Sequence, residues 1–110
     1  MSINDVQSEL LDIKNRIMDY WGENVSDLNL LSITDKPYDM FTLSMRLYEK
    51  YDVLVDYDRS SLGFRVKMNA DYIILSKLSR YPIYRGFDSY LTANNIMHNF
   101  RALDDVVRLL

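Results

Sequence analysis

The chain has no cysteine, only three glycines and two prolines, and a single histidine among its 110 residues. Without cysteine there are no disulfides, no thiolate metal sites and no thiol nucleophile. One histidine, His98, cannot form a paired-histidine metal site, and neither CxxC nor HExxH spacing occurs. His98 therefore reads as a surface or half-buried side chain. A serine–histidine–aspartate arrangement of Ser79, His98 and Asp104 has no support from spacing, since triads are defined by geometry. Gly22, Gly63 and Gly86 are too scattered to build a phosphate-binding loop. No run approaches the ~20 apolar residues of a membrane helix, and the N-terminus has neither the basic start nor the apolar stretch of a secretion signal. Together these absences exclude the common catalytic and cofactor signatures. They predict a cytoplasmic, non-enzymatic protein with no cofactor, no metal and no membrane partner.

What is present is the composition of one globular domain spanning residues 1–110. Hydrophobic residues make up 48%, charged residues 26% and aromatics 13%, with nine tyrosines. The net charge is −3, unevenly spread: residues 1–58 hold 12 acidic and 5 basic side chains, and residues 59–110 hold 4 acidic and 8 basic. The basic, aromatic-interleaved stretch Arg59–Arg85 is a candidate for nucleic-acid binding. The overall negative charge and a pI near 5.0 favour instead a fold in which the two halves offset each other. The acidic half is suited to steering a basic partner.

Periodicity places an amphipathic helix over 2–21, with Ile3, Val6, Leu10, Ile13, Ile17 and Tyr20 in one stripe. Ser2 stands as its N-cap, and Gly22 ends it in a left-handed turn. A second helix is expected from Asp35 and Pro37 to about Tyr51. Its apolar arc is wide: Met40, Leu43, Leu47 and Tyr51 beside Phe41, Met45 and Tyr48. Val53, Val55 and Tyr57, then Phe64, Val66 and Met68, alternate as in a β-hairpin turning at 59–63. If that strand forms, Asp56 and Asp58 share a face about 7 Å apart. Asn69 caps an expected helix to about Ser79. Residues 81–86 read as extended or turning around Pro82, residues 88–98 as helical or irregular, and 102–110 as a short closing helix.

Two segments resemble acyl carrier proteins. Residues 33–55, Ile-Thr-Asp-Lys-Pro-Tyr-Asp-Met-Phe followed by the apolar stripe, are similar to that family's Leu-Gly-x-Asp-Ser-Leu-Asp segment and second helix, with Leu43, Leu47, Glu49, Tyr51 and Val55 of matching type. Residues 100–110 resemble its closing helix. The resemblance implies a mainly α fold: a small helical bundle in which residues 56–99 are an insertion able to hold a β-hairpin, with α+β as the alternative. Pro37 stands where the family's serine carries phosphopantetheine. The resemblance therefore implies a degenerate bacterial carrier-like scaffold without the prosthetic group, reused for binding.

The function expected on these grounds is non-catalytic protein binding. Its most concrete form is an immunity protein that neutralises a basic cognate toxin through an acidic, tyrosine-rich surface. Asp35, Asp39, Glu49, Asp52, Asp56, Tyr57 and Asp58 are the candidate contacts. The alternatives are an acyl-carrier-like role and a nucleic-acid-binding module using Arg59–Arg85.

Overall fold

A computed structural model of the chain describes residues 3–59, 61–83 and 92–110. Helix α1 spans Ile3–Trp21 and β-strand β1 Val25–Thr34. Strands β2 (Met40–Leu47), β3 (Tyr51–Asp58), β4 (Ser61–Met68) and β5 (Asp71–Ile74) follow, then the single turn α2 (Leu75–Leu78) and helix α3 (Ala93–Arg108). The five strands form one antiparallel sheet in sequence order, β1-β2-β3-β4-β5. The expectation of a mainly helical bundle is therefore wrong, and the architecture is α+β.

The correction centres on residues 40–51. The three- and four-residue spacings read there as a helix also contain a strict alternation. Phe41, Leu43, Met45 and Leu47 are buried, while Thr42, Ser44 and Arg46 are not. A period of two is the period of a strand with one face on a core. The turn that follows settles the choice. Tyr48 and Glu49 both sit in the left-handed region, at φ 56° and 57°, and Lys50 N–H donates to the Leu47 carbonyl at 3.1 Å. Two successive positive-φ residues match the right-handed twist of a hairpin and interrupt a helix. The segment that resembles a carrier protein's second helix is thus a β-hairpin, and Pro37 lies in the β1–β2 connection.

The β3–β4 hairpin forms as its alternation predicts, with Val55 opposite Phe64 and Tyr57 opposite Leu62. The helix expected from Asn69 to Ser79 divides into β5 and the short α2, and Asn69 instead takes a left-handed turn position (φ 59°). The closing helix begins earlier than expected, at Ala93, where the Thr92 side chain accepts from Asn95 N–H. Gly22 ends α1 at φ 55°, as its position suggested. The expected Ser2 cap and residues 84–91, which include Tyr84, Arg85 and Gly86, lie outside the described residues.

Both long helices pack on one face of the sheet. Val6, Ile13, Ile17 and Trp21 of α1 and Ile96, Phe100, Leu103 and Val107 of α3 join the inward residues of β2, β3 and β4 in a single core. Helix α1 lies across β1 and β2. Phe100 brings α3 against Phe64 of β4, with ring centroids 6.0 Å apart, and against Tyr20 of α1 at 5.6 Å. Among the described residues, no helix contributes to the opposite face of the sheet, and none is long and apolar enough to cross a membrane.

Candidate binding surfaces

The candidate contact residues do not gather into one site. Asp35 is half-buried in the β1–β2 connection and Glu49 is exposed in the β2–β3 turn, at the other end of the sheet. Tyr57 points into the core, stacked on Phe41 at 4.7 Å with the rings nearly parallel. Its place follows from strand parity: Val53, Val55 and Tyr57 share the inward face, and Asp52, Asp56 and Asp58 take the other.

Those three aspartates lie on the helix-free face, each held by an arginine. Arg65 grips Asp56 with two bonds of 2.7 and 2.8 Å, and the Thr42 hydroxyl adds a third at 3.1 Å. Arg46 pairs with Asp52 at 3.0 Å, and Arg59 with Asp58 at 2.7 Å. The pairings are cross-strand or adjacent, as expected where opposite charges face each other on a sheet. Two shallow depressions mark this face. One of about 180 Å³ lies over Gly63 beside Asp58, Arg65 and Ile74. Another of about 300 Å³ lies between Asn29, Ser44, Arg46, Asp52 and Tyr72. With Asp52, Asp56 and Asp58 each paired to an arginine, and Asp27 at the rim of the larger depression the acid without an ion pair among the described residues, this surface offers a partner polar shape more than net charge.

The strongest unneutralised negative charge lies elsewhere. Glu9, Asp12 and Asp19 recur along α1 at spacings that keep them on one flank, Glu23 follows in the 3-10 turn that Gly22 opens, and all four are exposed. Asp12 pairs with Arg16 at 3.0 Å. Glu9, Asp19 and Glu23 have no ion pair among the described residues. Partial burial, then Asp12, then Asp39, push the Glu9 carboxyl above its ordinary 4.5. The contributions of Asp12 and Asp39, though smaller than that of burial, are ones a cation would relieve.

Asp39 forms the inner end of this acidic region. It is only 5% exposed, and its Oδ1 is buried without a hydrogen-bond partner. Its backbone carbonyl is satisfied by Arg59 N–H at 2.9 Å. Beside it Tyr38 is exposed, with the Arg59 guanidinium 4.4 Å above the ring. The signal for the α1 flank is readable in the sequence, because a helix over 2–21 with acids at 9, 12 and 19 places them together. The acids at 35–58 stand closer together in the sequence, but the hairpin spreads them over both ends and faces of the sheet.

The residues considered for catalysis are committed elsewhere. His98 Nε2 donates to the Pro82 carbonyl at 2.8 Å. The Ser79 hydroxyl donates to the Tyr81 carbonyl at 3.0 Å. Asp104 accepts from Trp21 Nε1 at 3.0 Å, from the Tyr48 hydroxyl and from Arg108 at 2.7 Å. Among the described residues, no three His, Asp or Glu side chains converge as a metal site would need. The basic stretch is dispersed too. Arg59 and Arg65 hold aspartates, Arg80 meets Asp105 of α3 at 3.4 Å, and Lys67 and Lys77 lie on separate elements.

Comparison with protein-family models, with curated proteins and with solved structures finds no match.

Proposed function

We propose that this protein is a non-catalytic binding module that recognises a basic protein partner through the acidic flank of α1 and the adjoining Asp35–Asp39 connection. One observation carries the reading: Asp52, Asp56 and Asp58 on the helix-free face are each paired with an arginine, whereas Glu9 and Asp19 stand exposed on one flank of α1 with no ion pair among the described residues, and exposed Glu23 follows just beyond its end. Unpaired surface charge of one sign raises the rate of encounter with an oppositely charged partner. Exposed Tyr38, next to Asp39 in the same connection, supplies a rigid amphipathic contact of the kind enriched at interface centres. A toxin-neutralising immunity protein is the concrete form this module takes in our reading, because a basic nuclease cleft would be both attracted and covered by such a flank.

The test uses the tagged protein and its Glu9→Lys/Asp19→Lys variant as baits in extract of the native host. A basic protein retained by the first and lost by the second supports the reading. Equal retention by both, or recovery of lipid-synthesis enzymes alone, contradicts it.

A further inference from the structure

The two edges of the sheet are unlike. Strand β5 has four residues and runs directly into α2. Strand β1 has ten, with no lysine, arginine or proline, the residues that commonly protect an edge. Its single charge is Asp27. Leu30 and Leu31 stand next to each other, 42% and 58% exposed. Leu30 lies opposite buried Leu43 and so faces the helix side, while Leu31 is the extra residue of a bulge between Leu30 and Ser32.

Helix α1 extends this apolar edge. Tyr20 touches Phe100, which identifies the flank turned toward α3. Leu11, Lys14 and Met18 lie on the other flank, roughly 110° round the helix from the buried stripe, and therefore overhang β1. Their level matches as well. Ten residues back from Trp21 cover about 15 Å of helix, and five residues on from Val25 cover about 17 Å of strand, so Leu11 stands level with Leu30. Leu11 and Met18 are 60% and 46% exposed.

We propose that this edge is a self-association surface. Two copies of the chain pack Leu11, Met18, Leu30 and Leu31 against the same four residues across a two-fold axis. Three features select a second copy as the occupant. Each chain carries a net charge of −3, so two copies meet most easily where charge is sparse, and β1 is that place. Lys14 and Asp27, neither in an ion pair among the described residues, border the patch from helix and strand respectively. In an isologous contact Lys14 of each copy can face Asp27 of the other. The four side chains leave on the order of 400 Å² of apolar surface, the size at which patches on monomers mark contact sites. Two such patches with their rims approach the roughly 1,200 Å² lower bound of specific interfaces. The register shifts in β1 break any continuous added ladder, so side-chain packing carries the contact.

Sedimentation velocity on the full chain, from about 1 µM to about 500 µM, tests this independently of the basic-partner proposal. The weight-average mass should rise from 13.0 kDa toward twice that value. Leu31→Lys and, separately, Leu11→Glu should remain monomeric with an unchanged circular dichroism spectrum. Because the chain lacks cysteine, Leu31→Cys should form a disulfide-linked dimer on oxidation far faster than Asn94→Cys, placed on exposed α3 surface. A wild-type chain that stays monomeric throughout, a dimer that survives both charged substitutions, or equal crosslinking at the two cysteines overturns the proposal.

Discussion

The indole nitrogen of Trp21 donates to Asp104 Oδ1 at 3.0 Å across 83 residues of sequence. The same carboxylate accepts from the Tyr48 hydroxyl in the β2–β3 turn and from Arg108 one helical turn along α3. Its side chain is 15% exposed. One acid thus joins the end of α1, the turn of the central hairpin and the last turns of α3. Burial and the hydrogen bond to Asp104 hold the Tyr48 phenol above its ordinary 10.0.

Asp104→Ala removes an acceptor serving three donors, two of them part-buried. It should lower stability by about 2–3 kcal/mol, the cost of leaving buried donors unpaired. Thermal denaturation followed by Trp21 fluorescence measures the loss and reports the indole's changed surroundings in the same experiment.

Glu49 occupies a left-handed backbone position at φ 57°, which costs a non-glycine residue about 1 kcal/mol. Glu49→Gly should therefore raise stability by about 0.5–1 kcal/mol in urea melts, although glycine loses more entropy on folding. The same change at a strand position such as Val55 should destabilise strongly.

Gly63 lies in the middle of β4, opposite Asp56, and a Cβ built there meets nothing within 4 Å. Gly63→Thr should stabilise by about 0.5–1 kcal/mol, since glycine weakens a strand interior and a β-branched residue suits it. Urea denaturation of the variant is the check.

The raised pKa of Glu9 gives a pH dependence of definite sign. A carboxyl with a higher pKa in the folded state binds its proton there first, so its contribution to stability falls as pH rises from the unfolded value of about 4.5 through the folded one. Partial burial, then Asp12 and Asp39, disfavour the charged form of Glu9 in the folded chain. Glu9→Gln should be more stable than wild type at pH 7, by a few tenths of a kcal/mol at so exposed a position, and the gain should vanish below about pH 4.5. Chemical melts at the two pH values measure the difference.

Much of this fold is legible in the chain, and the misreading has a specific cause. Helix α1 and its Gly22 stop follow from the 3–4 spacing of Val6, Ile13 and Ile17. The β3–β4 hairpin follows from the alternation around Val55 and Phe64. Residues 40–51 carry both periods at once, because Met40 and Tyr51 extend a helical stripe that Phe41, Leu43, Met45 and Leu47 contradict. The deciding element is the pair of left-handed residues at Tyr48 and Glu49, and neither is a residue type that announces a turn. At the surface, Asp52, Asp56 and Asp58 are visible as acids. Their arginine partners are not, because the Asp56–Arg65 contact depends on strand register. With that register known, negative charge available to a partner moves to α1.

Binding of a basic partner requires that flank to be the cation-binding surface. A two-dimensional amide NMR titration with a hexalysine peptide at low salt tests it most directly. Perturbations are expected along α1 at Glu9, Asp12 and Asp19, at Glu23 beyond its end and at Asp39, fading as salt is added. Perturbations confined to Asp52, Asp56 and Asp58 on the helix-free face, or none at all, would contradict it.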